Sequence, residues 1–156
     1  MQLFHFTSIA HLPDIIRSGR LALCESNISV KRRMAGPPVV WLTKNGDPSA
    51  DAHGLQHDPA MQALHDYWKI DKTRIRFTVE VPNAWVTRYH DWAKSQGIDR
   101  KWLSEIMQTK GAFSWYVCSR PITMEDWVEI RDVVEDRAIW LPAPRPDRHL
   151  SAKDRV

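Results

Sequence analysis

Residues 1–7 read Met1-Gln2-Leu3-Phe4-His5-Phe6-Thr7, a short apolar run with an imidazole at its centre and a hydroxyl at its end. Side chains alternate along a strand, so Leu3, His5 and Thr7 share one face while Phe4 and Phe6 share the other. The phenylalanine pair is expected to face the core, and His5 a polar surface or a cleft. The next stretch, 8–19, predicts an irregular turn and then a helix starting near Leu12. Leu12, Ile15 and Ile16 form its apolar stripe, Pro13 suits the first turn and Gly19 the C-terminal cap. With Leu21-Ala22-Leu23 behind it, this unit makes a compact pocket wall.

Working outward, residues 24–38 turn polar, with Lys31, Arg32 and Arg33 adjacent and Gly36-Pro37-Pro38 at the end, which predicts a loop. A guanidinium in such a loop either reaches a phosphate or is a solvated basic turn, and both readings stand. Residues 39–43, Val-Val-Trp-Leu-Thr, predict a second strand with Val39, Trp41 and Thr43 on one face. The clearest strand is 73–81, where Ile75, Phe77, Val79 and Val81 alternate with Arg74, Arg76, Thr78 and Glu80. Helices are expected over 59–68, 84–96 and 99–110, the last with Asp99 as N-cap. Two further strands are expected at 113–119 and 127–131. Beyond Trp140, Pro142, Pro144 and Pro146 break regular structure, so 1–141 is expected to be one domain and 142–156 a basic tail.

At 156 residues with a net charge of +3 the chain fits a single domain, and part of the positive charge sits in that tail. No run approaches the ~18 apolar residues of a membrane span, and the N-terminus lacks a secretory pattern. A cytoplasmic location is therefore expected. Cys24 and Cys118 read as free thiols. His53, His57 and His65 have spacings that invite a zinc site, but Asp58-Pro59 breaks any single helix that would align them, so no metal site is expected. The eight tryptophans read mainly as core. Strands separated by helices and long loops, with no glycine-rich phosphate loop, predict an α+β protein with mostly antiparallel sheet.

The run LFHFTSIAHLPDIIRSGRL, residues 3–21, resembles the opening of the DarT-like branch of the ADP-ribosyltransferase superfamily, and VVWLT, 39–43, is similar to its second core strand. The resemblance implies two small, mostly antiparallel sheets around an NAD cleft with flanking helices. It also implies an NAD-dependent transfer of ADP-ribose to a macromolecule, nucleic acid ahead of protein. In this reading His5 holds a ribose hydroxyl, with Phe6 beside it. Thr7 or Thr43 bonds nearby, Trp41 packs on nicotinamide, and Arg32 or Arg33 holds the pyrophosphate. DWVEI, 126–130, is similar in kind to the third motif, so Glu129 becomes the candidate catalytic carboxylate, acting on the positive charge that develops on the ribose. Against this stands the plainer reading that Glu129 points to water. An acidic pair around Glu129 is missing, and Glu125 and Glu135 are the other carboxylates nearby.

Two alternatives accompany this reading. An RNA 2'-phosphotransferase-like enzyme using NAD needs basic residues converging on two phosphates, for which Arg32, Arg33, Arg74 and Arg76 are available. A non-catalytic module on the same fold would bind nucleic acid or protein through tryptophans and basic loops. The alternatives separate on whether His5, Trp41 and Glu129 share one cleft.

Overall fold

The computed structural model describes residues 1–24, 36–47 and 67–143, with Tyr67 and Trp68 as backbone alone. Arg32, Arg33, the three loop histidines, most of the expected 59–68 helix and the tail from 144 onward lie outside the described residues.

The alternating stretch predicted at 73–81 forms β4, Ile75–Glu80, and pairs antiparallel with β1, Gln2–Thr7, along the whole length of β1. Leu3 lies opposite Val79, His5 opposite Phe77 and Thr7 opposite Ile75. On its other edge β4 pairs with β8, Trp127–Asp132, which turns into an edge strand β9, Arg137–Trp140. In the opposite direction β1 meets β3, Val40–Thr43, through one residue pair, Phe4 with Thr43. Beyond it lie β6, Trp115–Cys118, and β5, Val86–Arg88. The result is one seven-stranded antiparallel sheet in the order β5-β6-β3-β1-β4-β8-β9. A separate two-stranded sheet joins β2, Arg20–Leu21, to β7, Ile122–Thr123. The α+β class and antiparallel sheet follow the sequence reading. The strands, however, form one large and one very small sheet, and the large one is pinched between β1 and β3.

Each face of the large sheet has its own core. Leu3, Val40, Leu42, Ile75, Phe77, Val79, Tyr116, Cys118 and Ile130 are buried on the first face, together with Leu21 and Ile122 of the small sheet. Helix α1, Leu12–Ser18, packs Leu12, Ile15 and Ile16 against them. Gly19 ends α1 in the left-handed region at φ 64°, where its N–H bonds the Ile15 carbonyl at 2.9 Å. Burying a ring such as Phe77 contributes about 1.5–3 kcal/mol relative to leaving it in water.

This register corrects the expected orientation of β1. Leu3, not the phenylalanine pair, points into the first core, while Phe4 and Phe6 are half-buried on the other face. The physical reason is parity: His5 sits in the same row as Phe77, so the apolar residues of β4 draw the Leu3 side of β1 inward.

On the second face, Val39, Trp115 and Val117 pack under α3, Tyr89–Ser95, and α4, Arg100–Ile106. Tyr89, Trp92, Leu103 and Ile106 supply most of this core. The expected helix at 84–96 starts later, because 83–85 form a 3-10 turn and Val86-Thr87-Arg88 pair as β5. Asp99 does cap α4, its carboxylate accepting the Trp102 N–H at 2.9 Å. Gly36 approaches Trp92 so closely that a Cβ would lie 2.7 Å from its ring, and its φ of 74° also favours glycine. Between β3 and β4 the described residues include a four-residue helix α2, Tyr67–Ile70. No helix among the described residues is long and apolar enough to cross a membrane.

Candidate functional site

The centre of the candidate site is the break between β1 and β3. Past the Phe4–Thr43 pair the ladder stops, and the His5 side chain takes over: its Nδ1 bonds the Trp41 backbone carbonyl at 2.8 Å. A carbonyl only accepts, so Nδ1 carries the hydrogen. Burial pushes the His5 pKa below its usual value. The bond to Trp41 partly opposes this, and the nearby His11 adds to it. The imidazole is therefore neutral near pH 7, and its Nε2 presents a lone pair suited to a hydroxyl donor. The ring edge rests against Phe77 with centroids 6.2 Å apart.

Around this imidazole the start of α1 gathers small polar groups. Thr7 and Ser8 are buried, and their hydroxyls lie 3.4 and 3.3 Å from His11 Nδ1. At the end of β3, in the row of Phe4 and so on the face away from His5, Thr43 Oγ1 is 2.9 Å from Ser114 Oγ, which in turn donates to the Gly111 carbonyl at 2.7 Å. The Lys44 N–H donates to the Ser114 carbonyl at 2.9 Å, and the Lys44 ammonium sits 5.4 Å from the Tyr116 ring centroid. Ser8, His11 and Ser114 were not picked out from the sequence. The first two had a signal, hydroxyls at 7 and 8 followed by a histidine one helical turn later. Ser114 had none, because only the tertiary pairing of β3 with β6 brings it to Thr43.

Trp41 belongs to the second core rather than to an open cleft. Its ring packs on Tyr89 at 5.0 Å and Trp92 at 6.5 Å, while its Nε1 is buried without a hydrogen-bond partner. Phe6 lies opposite Arg76 on the face away from His5.

Glu129 is also on that far face. His5, Phe77 and Ile130 form one cross-strand row, whereas Glu129 aligns with Thr78 and Phe4 in the next. Adjacent rows project to opposite sides of a sheet, so His5 and Glu129 are not brought together. The Glu129 carboxylate instead meets Arg131, with Nη2 at 2.7 Å and Nε at 3.2 Å, and Arg76 Nη2 lies 3.8 Å away. The hydrogen bonds from Arg131 hold its pKa below the usual carboxylate range against the opposing effect of burial, with the charges of Arg131 and Arg76 assisting. Glu135 pairs with Arg74 and Arg137. Arg74 also makes two bonds to Asp132, at 3.0 and 2.8 Å, and Arg76 donates to the Gly46 carbonyl at 3.0 Å. Arg74 and Arg76, offered above as phosphate ligands, are thus engaged within the protein.

An open depression of about 430 Å³ lies elsewhere, lined by Met1, Glu80, Val81, Pro82, Glu125, Asp126, Trp127 and Val128. The Met1 amino group donates to the Val81 carbonyl there at 2.7 Å. Among the described residues no group of three or more His, Cys, Asp or Glu side chains is placed to hold a metal ion. Cys24 is exposed and Cys118 buried, both as free thiols. No family model matches the chain, and comparison with curated proteins and with solved structures finds no match to either.

Proposed function

We propose that this chain is a nucleotide-binding domain of ADP-ribosyltransferase-like build, receiving a ribose hydroxyl of NAD or a related nucleotide at His5. The observation that carries this reading is the fixed tautomer of His5 at the broken β1–β3 ladder, which leaves Nε2 as a hydroxyl acceptor. A ribose fits that donor requirement, and the neighbouring hydroxyls of Thr7 and Ser8 provide further partners. NAD bound there would offer a scissile nicotinamide–ribose bond. Its cleavage needs a carboxylate beside the ribose as charge develops. Glu129 is across the sheet and tied to Arg131, and neither β3 (VWLT) nor β6 (WYVC) contains an acid. Binding without Glu129-driven transfer is therefore the reading that the geometry favours. The phosphotransferase alternative loses Arg74 and Arg76 to internal ion pairs.

Calorimetric titration with NAD, run beside an NAD-cleavage assay, tests this. The expected result is saturable binding that His5→Ala abolishes or weakens severely, with any cleavage unaffected by Glu129→Gln. Turnover of NAD that drops by orders of magnitude in Glu129→Gln would restore the transferase reading and overturn this one.

A further inference from the structure

The loop after β3, residues 44–47, is tied to the end of β3 at its near end and to Arg76 of β4 at its far end, both on the face away from His5. At the near end Thr43 Oγ1 accepts the Asn45 N–H at 3.0 Å, and the Lys44 N–H reaches Ser114. Asn45 Oδ1 then accepts the Asp47 N–H at 3.0 Å. At the far end the Gly46 carbonyl accepts from Arg76 Nη1. Gly46 also lies flat on Phe4: a Cβ there would stand 3.1 Å from the ring. The Arg76 guanidinium covers the same ring at 5.4 Å, its Nη2 faces Glu129, and its Nε is buried with no partner. An arginine that forgoes one buried donor while meeting a loop carbonyl is held in place by its other contacts, since an unmet buried donor is costly. Glu129 supplies such a contact and is itself fixed by Arg131. Residues on the face away from His5 are thus connected through the loop to the end of β3, the strand whose Trp41 carbonyl holds the His5 ring.

We propose that Arg76 is a positioning residue for the β1–β3 site: it seats loop 44–47 by its bond to Gly46, and Glu129 holds Arg76 in that pose. The proposal rests on the nucleotide-binding reading for its ligand half and on the geometry alone for its loop half. Arg76→Lys keeps a cation beside Glu129 but gives up the fork that spans both partners. The amides of Asn45 and Asp47 are expected to exchange hydrogen roughly 10- to 100-fold faster in this variant, the range set by losing a hydrogen bond to a charged group. Amides of β4 and β8 should stay near wild type, and the dissociation constant for NAD should rise several-fold. Glu129→Gln should act in the same direction, more weakly. A merely structural ion pair predicts instead that Arg76→Lys rescues both loop exchange and affinity. Unchanged exchange at Asn45 and Asp47 in both Arg76→Lys and Arg76→Ala overturns the latch. Faster exchange with unaltered NAD affinity overturns its link to the site. Failure of the wild-type chain to bind NAD sinks the nucleotide reading and the ligand half with it, whereas unchanged exchange sinks the latch and leaves that reading standing.

Discussion

Replacing Asp132 by alanine should unfold this protein at a markedly lower temperature. The Asp132 side chain is 2 % exposed, and its Oδ2 accepts two bonds from Arg74, whose side chain is 13 % exposed. Its Oδ1 accepts the Val134 and Glu135 amides at 3.0 and 3.1 Å, closing the turn between β8 and β9. Alanine takes from a largely buried guanidinium its two bonds to Asp132, with Glu135 at 3.1 Å among the partners that stay, and leaves two amides without their acceptor. Breaking a buried pair from one side costs about 3–5 kcal/mol. For a chain of 156 residues each kcal/mol corresponds to roughly 2–4 °C, so the Tm should fall by roughly 6–20 °C. Burial works against the charged form of Asp132, yet the Glu135 amide, Arg74 and the Val134 amide together hold its pKa below the usual range. A carboxyl with a lowered folded pKa stabilises above its unfolded value and loses that contribution as pH falls through the folded one. The gap between wild type and variant, read by circular dichroism melts, should therefore be full at pH 7 and shrink below about pH 4. A loss under about 1 kcal/mol at pH 7, by the exposed-pair standard, would refute this account of the turn.

The pKa of His5 is lowered on folding, so the unfolded chain binds its proton more readily and stability should decline as pH drops below about 6.5. Melts between pH 7 and 5 should show this slope, at most about 1.4 kcal/mol per pH unit, and His5→Gln should flatten it; an identical slope in that variant would assign the titration to another group. Ser114→Ala removes the hydroxyl bonded to Gly111 and Thr43 and should cost about 1–2 kcal/mol. Denaturant unfolding showing no loss would mean that β3 and the 111–114 turn are held by their backbones alone.

The strands were legible wherever β-branched and aromatic residues alternated or ran together: β1, β3, β4, β6 and β8 all lie within a residue or two of their expected limits. α1 was legible at both ends because Pro13 and Gly19 punctuate it. Parity was not legible. A strand such as Leu-Phe-His-Phe has apolar residues on both faces, and which face is core depends on its partner; the Ile75-Phe77-Val79 row settled that for His5 and, through Thr78, for Glu129. The same limit explains Val86-Thr87-Arg88, read as part of a helix from the surrounding aromatic spacing but drawn into the sheet edge by β6. β9 went unseen because Arg-Ala-Ile-Trp is short and borders a proline-broken segment. Of the expected site, His5 and Thr7 share one face of β1, Trp41 contributes its carbonyl more than its ring, Thr43, Phe6 and Glu129 lie on the other face, and Arg32 and Arg33 fall outside the described residues.

The pinch in the sheet has a thermal consequence. β1 and β3 share one ladder pair and the His5–Trp41 bond, so the two halves of the sheet are joined there chiefly by the apolar layer on the first face, where Leu3, Val40 and Leu42 meet. Ladder bonds and apolar burial respond differently to temperature. Hydrophobic closure loses strength on cooling, because apolar hydration carries a large heat capacity. The sheet's midline is therefore the part of this fold that chilling should loosen first.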